Sequence, residues 1–463
     1  MYVEDTIVAP ATAPGRGAVA IVRLSGPDAH RIALEIWSPS KPLRPARQPP
    51  HRRLTLGEIR DPTRGMVIDR AMAVFFEAPQ TLTGESVAEL HCHGGPYLVR
   101  RVLGLAIAAG ARYAEPGEFT RRAFLNGRID LTAAEAIRDL VEARGERALS
   151  LAIAQLGGAL AARVDRMRKQ TVSILAHLEA AIDFADEDLD LPQPQQIAAS
   201  IEALASDVAE LHASFERGRI RREGIRAAIV GRPNVGKSSI LNLMLGAERA
   251  IVTPIPGTTR DVIEDTIELD GYAVILQDTA GVRESGDDVE RIGIERALER
   301  ARDADLLIAV FDAASALVDE DFRVIALTER RPSIALLNKS DLPAKINERD
   351  LRARGLRAPV IDFSATEAIG VNALRTALLA QIEATSGGDG AGDVAISRVR
   401  HREALGRALE ALRRAQEGVL SRIPPEIVAV EMTAVADALG AITGAIGVED
   451  VLDVIFREFC IGK

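Results

Sequence analysis

Gly231-Arg232-Pro233-Asn234-Val235-Gly236-Lys237-Ser238 lies between a short apolar run, Arg226-Ala-Ala-Ile-Val230, and a segment with helical apolar spacing, Ser239-Ile-Leu-Asn-Leu-Met-Leu245. The eight residues read G-x-x-x-x-G-K-S, and an expected strand before and helix after give the setting a phosphate-binding loop requires. Glycines let backbone N–H groups close around phosphate oxygens, while the helix N-terminus adds positive potential. On this reading Asn234, Val235, Gly236, Lys237, Ser238 and Ser239 surround a nucleotide. Lys237 reaches its outer phosphates and Ser238 offers a hydroxyl to Mg²⁺. The pattern alone also describes a plain glycine-rich turn, so the decision rests on the flanking elements and on motifs further along.

Those motifs select the base. Asp278-Thr279-Ala280-Gly281 follows the alternating run Tyr272-Ala-Val-Ile-Leu276, which places the Asp278 carboxylate at a strand end where it can hold the Mg²⁺ shell. Asn338-Lys339-Ser340-Asp341 follows Ile334-Ala-Leu-Leu337 in the same way. Asp341 can accept from the ring N–H and the exocyclic amine of guanine, and adenine offers neither in that geometry. A site built on such donors rejects an analogue lacking them by roughly 10⁴-fold or more. GTP rather than ATP is therefore the expected nucleotide.

Between these motifs, Thr253-Pro-Ile-Pro-Gly257-Thr258-Thr259-Arg260-Asp261 is a loop of the kind that orders around a γ-phosphate, with Thr259 as the second Mg²⁺ hydroxyl. Val282 follows Gly281 where many small GTPases carry a water-orienting Gln. Valine cannot position water, so another acid is needed, and Glu284, Glu290 and Glu295 are the nearby candidates. No arginine finger is evident. The Asn234 amide oxygen has two readings, a turn-former or a ligand to a monovalent cation beside the phosphates.

The 463 residues accommodate about three domains. A net charge of −10 argues against wholesale nucleic-acid binding and confines any RNA contact to a local patch. Arg217, Arg219, Arg221, Arg222 and Arg226 form the most basic stretch, either a hinge face or such a patch. Two cysteines, Cys92 and Cys460, exclude a disulfide framework. Met1-Tyr-Val-Glu-Asp5 has neither a basic n-region nor an apolar h-region, and no apolar run approaches a membrane span, so a cytoplasmic protein is expected.

The expected fold class is multidomain: an N-terminal α+β domain, an α-helical domain and an inserted α/β phosphate-loop domain. Strands are expected over 18–24, 72–76 and 87–93, and an amphipathic helix from Pro96 to Gly110. In Val87-Ala-Glu-Leu-His-Cys-His93, Glu89, His91 and His93 share one face; with no second ligand pair at zinc spacing, they read as a polar wall rather than a metal site. Thr132 and Glu135 have capping-box spacing. A very long helix covers about 144–182, an acidic turn follows at 183–192, and another helix runs to about 218. After a glycine-rich linker at 386–393, helices are expected over about 396–420, 425–441 and 447–459. They are too thin to form their own core and should pack on the earlier helices. The terminal Cys460 and Lys463 belong either to a frayed tail or to a mobile one that enters a ligand pocket.

Asp5-Thr-Ile-Val-Ala-Pro-Ala-Thr-Ala-Pro-Gly-Arg-Gly17, Thr83-Gly-Glu85, Pro116-Gly-Glu-Phe119, Gly257-Thr-Thr-Arg-Asp261, Glu290-Arg-Ile-Gly-Ile-Glu295 and Phe459-Cys-Ile-Gly-Lys463 carry a wider likeness. Together they resemble the MnmE (TrmE) family of bacterial tRNA-modification GTPases over essentially the whole chain. The resemblance implies a tetrahydrofolate-binding, dimerising domain over 1–118, a helical domain formed by 119–218 and 385–463, and a Ras-like GTPase domain over 219–384. It also implies a homodimer whose GTPase domains meet to hydrolyse GTP. The implied partner is the FAD-containing MnmG, which joins it in a hetero-oligomer that places a carboxymethylaminomethyl group on C5 of the wobble uridine of certain tRNAs. The one-carbon unit would come from 5-formyl- or methylene-tetrahydrofolate.

Carried over position by position, Asn234, Thr253, Ile255 and Thr258 would ligate K⁺, Ser238 and Thr259 would ligate Mg²⁺, and Glu290 would orient the water. Thr279, Ala280 and Gly281 would line the γ-phosphate side, and Ser364 and Ala365 the base. Ser364-Ala365-Thr366 departs from the usual Ser-Ala-Lys at its third position. Arg23, Glu85, Arg128 and Lys463 would hold the folate, with Arg128 standing where lysine is commoner, and Cys460 would act in the modification chemistry. The rivals are an RNA-binding or ribosome-assembly switch without modification chemistry, and a membrane-associated GTPase, for which no basic amphipathic anchor is present.

Overall fold

Apolar-polar alternation over 88–93 means that one face of this strand must be buried and the other left for chemistry. The computed structural model describes residues 5–40, 51–183, 192–247, 265–278, 303–329, 331–386, 394–445, 455–456, 459 and 462. Two compact units divide the chain, Met1–Arg138 with Leu439–Lys463, and Asp139–Ala438.

In the first unit the order is β1 (Ile7–Pro10), β2 (Gly17–Ser25), α1 (Ala29–Ile36), β3 (Trp37–Pro39), β4 (Thr55–Arg60), β5 (Val67–Phe76), β6 (Val87–Gly94), α2 (Pro96–Ala108), β7 (Arg112–Tyr113), α3 (Glu118–Leu125) and the start of α4 (Leu131–Glu142). The described strands form one seven-stranded sheet, β3-β4-β5-β6-β2-β1-β7. All neighbours are antiparallel except β1 and β7. Val22, Leu24, Ala88, Leu90 and Cys92 are buried in one core with Ile32 and Ile36 of α1 and Val102 and Ala106 of α2. Alternation then puts Arg23, Ser25, Glu89 and His91 on the opposite face, with Arg23 directly across from Glu89. A smaller core on that side joins Ile7 and Ala9 to Ala114 and Phe119. C-terminal residues Phe456 and Phe459 are buried with Leu131 and Ala134. Gly117, at φ +67, lets them approach: a Cβ there would lie 2.6 Å from the Phe456 carbonyl oxygen.

The second unit continues with α5 (Glu146–Leu156), α6 (Ala159–Asp183), α7 (Pro194–Ala213) and α8 (Phe215–Glu223). Next come β8 (Ile225–Val230), α9 (Lys237–Ala247), β9 (Asp265–Leu269), β10 (Tyr272–Asp278), β11 (Leu306–Asp312), α10 (Asp319–Thr328), β12 (Ser333–Asn338), α11 (Glu348–Ala353), β13 (Val360–Asp362) and α12 (Val371–Ser386). Two helices close the unit, α13 (Val399–Leu420) and α14 (Pro425–Thr443), the latter running on to the residues grouped with the first unit. The described strands of this unit form a six-stranded sheet, β13-β12-β11-β8-β10-β9, parallel but for β9. Its strands are buried on both faces, in cores that include Ile229, Ile240 and Leu374 on one side and Val230, Phe311 and Leu351 on the other. That is the signature of a doubly wound α/β sheet. The α13 helix packs along α7, as its thin apolar stripe demands.

The expected helix over 144–182 is in fact two helices, bent by 47° at Gly157-Gly158. Gly158 takes φ +83, a conformation open to glycine that ends α5. Asp130, not Thr132, caps α4: its carboxylate accepts the Ala133 N–H at 2.9 Å and the Thr132 hydroxyl. The helix expected to stop near 218 continues as α8 to Glu223. Here the basic stretch is tied inward. Arg219 donates to Asp305 at 2.8 Å and to Glu216 at 2.9 Å, and Arg222 pairs with Glu223. Arg217, Arg219, Arg221 and Arg222 are half-buried, while Arg226 is exposed. The expected helix over 447–459 falls largely outside the described residues.

Gly224 ends α8 at φ +82, and a Cβ there would lie 2.3 Å from the Ala273 carbonyl oxygen. Gly246, inside α9, would meet nothing within 4 Å. Gly224→Ala should therefore cost about 2 kcal/mol or more, whereas Gly246→Ala should gain about 1 kcal/mol through helix propensity. Thermal unfolding of the two variants checks this opposition.

Candidate functional site

The phosphate loop sits where β8 ends, between β10 and β11, at the point where strand order reverses and ligands bind in such sheets. Asn234 takes φ +63 and Gly236 φ +100, and such a turn aims successive N–H groups inward as an anion nest. Val235 is fully buried beneath the loop, while Asn234, Ser238 and Ser239 are exposed. The Lys237 ammonium donates to the carbonyls of Gly231 and Arg232, each at 2.9 Å, so it is held over the mouth of the loop. The α9 helix begins at Lys237 and directs its N-terminus at the same place.

The guanine motif is bonded to this loop. Asn338 ends β12 and is almost fully buried; its Nδ2 donates to the Val235 carbonyl at 2.7 Å, and its Oδ1 accepts the Ala365 N–H at 3.1 Å. Ser364 donates to Asp341 at 2.5 Å, fixing one carboxylate oxygen and leaving the other side of the exposed carboxylate for a ligand. Lys339 is held at φ +66. Phosphate loop, guanine loop and Ser364-Ala365 loop thus converge on a single site. Asp278 ends β10, in register beside Ile229 of β8, which brings its backbone to the same edge.

One residue the sequence reading missed is Asp312, at the end of β11. Its carboxylate accepts from Lys339 Nζ at 2.7 Å and from the Ala314 N–H at 2.9 Å. Burial pushes this carboxyl up, but those bonds and the Lys339 charge outweigh it and hold it below its ordinary value. An Asp closing the apolar run 306–311 was a visible signal of the same kind as Asp278. The remaining expected nucleotide and metal residues, Thr253, Ile255, Thr258, Thr259, Thr279, Ala280, Gly281 and Glu290, lie outside the described residues, as do Val282, Glu284 and Glu295.

A second polar cluster occupies the open face of the N-terminal sheet. Arg23 donates to Glu89 at 2.8 Å, to the Gly462 carbonyl at 3.5 Å, and lies over the Phe119 ring. Glu85 accepts from Ser25 at 2.6 Å and from Arg122 at 3.1 Å. The Arg128 side chain passes the adjacent Gly84, where a Cβ would lie 3.3 Å from its Cγ. Arg23, Glu85 and Arg128 therefore belong to one region, reached by the C-terminal tail at Gly462; Cys460 and Lys463 lie outside the described residues. The organiser of this region was also missed: Arg122 is almost wholly buried and bonds Asp5, Glu85 and Glu118 together. His91 Nε2 donates to Glu89 at 3.3 Å and His93 pairs with Asp69 at 2.7 Å. Among the described residues no group of three His, Cys, Asp or Glu could hold a metal ion.

A nucleotide-binding α/β unit of this kind, with an Asn-Lys-x-Asp loop bonded to its phosphate loop, defines a P-loop GTPase. The profile of the MnmE helical domain matches residues 131–460, and that of the GTP-binding protein TrmE N-terminus matches 6–128. The tRNA modification GTPase MnmE of Chloroflexus aurantiacus is 45% identical over 461 residues, covering 99% of this chain and 100% of that protein. That of Natranaerobius thermophilus is 41% identical over 462 residues, with 99% and 100% covered. A solved structure, the G domain of the T. maritima FeoB iron transporter, is 27% identical over 34% of this chain at a TM-score of 0.26, a likeness too slight to add weight. The chain belongs to the MnmE family of tRNA modification GTPases, and its activity is that of a GTPase acting in tRNA modification.

Burial raises the Glu85 carboxyl above its ordinary 4.5, and the Arg122 charge and hydrogen bond offset only part of that rise. A carboxyl whose folded value is raised costs stability while ionised, and the cost lifts as pH falls toward the unfolded value. Glu85→Gln should therefore raise the unfolding temperature at pH 7. It should also remove the part of the gain on mild acidification that Glu85 contributes. A lowered unfolding temperature at pH 7 would contradict this.

Proposed function

We propose that this GTPase hydrolyses GTP in a K⁺-assisted, dimerisation-activated reaction, and with an FAD-containing MnmG adds a carboxymethylaminomethyl group to C5 of the wobble uridine of certain tRNAs, using a folate one-carbon unit. The observation that carries the nucleotide half is the Asn338 side chain, which bonds the phosphate loop and the Ala365 backbone together. Specificity for guanine follows from Asp341, positioned by Ser364 to accept from the ring N–H and the exocyclic amine.

The donor set fits the ions that the family resemblance implies. Ser238, exposed at the start of α9, would hold Mg²⁺ together with Thr259. Asn234, exposed on a left-handed backbone beside the anion nest, would hold K⁺ together with Thr253, Ile255 and Thr258. Bound there, the cation supplies the positive charge that an arginine finger supplies elsewhere. The chain's own residues do the rest. Lys237 stands ready over the outer phosphates, the loop amides close on them, and Glu290 orients the attacking water. Two such sites facing each other in a homodimer would exclude water and complete the active centre.

In the N-terminal unit, Arg23, Glu85 and Arg128 offer cationic and carboxylate groups to the pterin and glutamate parts of 5-formyl- or methylene-tetrahydrofolate. Lys463 would add a further cation, and Cys460 would act close to the one-carbon unit. The bond from Arg23 to the Gly462 carbonyl supports a tail seated at this face.

GTP turnover, measured in K⁺ and in Na⁺ against protein concentration, tests the reading. The expected result is turnover at least tenfold faster in K⁺, rising in specific activity with concentration, and Asn234→Ala is expected to abolish the cation difference. Slow turnover that ignores both cation and concentration would support the conformational RNA-binding switch instead.

A further inference from the structure

Asp312 is the last residue of β11, which lies between β8, leading into the phosphate loop, and β12, leading into the guanine loop. The Ala313 N–H next to it donates to the Asn338 carbonyl at 2.8 Å, so the carboxylate is anchored to the guanine loop through the backbone. One side of Asp312 holds Lys339 Nζ at 2.7 Å, and its own turn is closed by Ala314 N–H at 2.9 Å and Ser315 Oγ at 3.1 Å. Arg232 of the phosphate loop approaches the same oxygen, Oδ2, its guanidinium 3.8 Å from Asp312 and 3.5 Å from Asp321. Asp321 is itself fixed, accepting the Val318 N–H at 3.1 Å at the start of α10. The Asp312 side chain is only 6% exposed, whereas Arg232 and Lys339 are 22% and 34% exposed. Two flexible cations, one from each ligand loop, are thus gathered on one buried carboxylate. Lys339 also holds a left-handed backbone that is unfavourable for a residue with a Cβ, and persists only if its surroundings fix it.

We propose that Asp312 is a positioning residue for nucleotide binding, holding Lys339 and Arg232 so that the guanine and phosphate loops close as one unit. The inference rests on the reading that Asn338, Lys339 and Asp341 hold the guanine base. It predicts that losing the Lys339 bond speeds nucleotide release from the full-length protein. Asp312→Asn keeps the shape and an acceptor for Ala314, but presents an N–H group where Lys339 needs an oxygen.

The test is a double-mutant cycle on GDP release from the wild type, Asp312→Asn, Lys339→Met and the double variant. A hydrogen bond to a charged group is worth roughly a tenfold change, so Asp312→Asn should release GDP about tenfold faster. The double variant should release it faster than Lys339→Met alone but short of the product of the two single effects, because Asp312 still holds Arg232 when Lys339 is gone. Unchanged release in Asp312→Asn, or effects that multiply in the double variant, would overturn the proposal. The more exposed pair, Arg232→Met with Lys339→Met, asks the same question without touching the buried carboxylate, and there too the effects should fall short of multiplying. Asp341→Ala, measured alongside, should lose the preference for GDP over IDP, which lacks the exocyclic amine. A retained preference would mean that the guanine reading had failed. A lost preference with multiplying effects would overturn the Asp312 role alone.

Discussion

The Asn338 side chain joins three loops that are far apart in sequence. Its amide donates to the phosphate loop at Val235 and accepts from Ala365 on the third loop, while its backbone closes β12. Buried polar groups are costly unless bonded, so this amide can be accommodated only if all three loops stand where they do. The constraint reaches further into the sequence. A Cβ at Gly236 would lie 2.3 Å from Asn338 Nδ2, and Gly236 also needs its φ of +100. The second glycine of the phosphate motif is thus required by the guanine motif as well as by the phosphate. Asp312 extends the same coupling to charge, setting Lys339 and Arg232 on one carboxylate.

The N-terminal cluster follows an opposite economy. Arg122 gathers Asp5, Glu85 and Glu118, and burial pushes both the guanidinium and these carboxyls toward neutrality. Asp5 and Glu118 end below their ordinary values because arginine bonds outweigh burial; Glu85 does not. Glu85 is thus the carboxyl of the cluster whose charge its surroundings disfavour. It shares the open sheet face with Arg23, which bonds the Gly462 carbonyl.

Much of this was legible in the sequence, for physical reasons. Strand-loop-helix order around Gly231–Ser238, the two later strand-end motifs, and the two faces of 87–93 all come from short-range periodicity and from residue types that only certain turns tolerate. What escaped has causes as definite. The break at Gly157-Gly158 lies inside an uninterrupted apolar pattern, and periodicity does not register a φ of +83. Asp130 won the cap of α4 because its carboxylate accepts where Thr132 only donates to it. Asp312 and Arg122 take their roles from partners 27 and 117 residues away, distances over which a single sequence carries no pattern. The arginines of 217–226 read as either a hinge face or a local patch, and Asp305, which pairs with Arg219, lies 86 residues on.

The central claim is that Asn338 unites base recognition with phosphate binding. It is tested most directly by the affinity of Asn338→Ala for inorganic pyrophosphate, which carries the phosphates and no base, measured beside its affinity for GDP. If Asn338 holds the phosphate loop in shape, pyrophosphate binding should weaken roughly tenfold along with GDP binding. Pyrophosphate bound as tightly as by the unaltered protein, with only GDP affected, would show that Asn338 serves the base alone and would contradict the account.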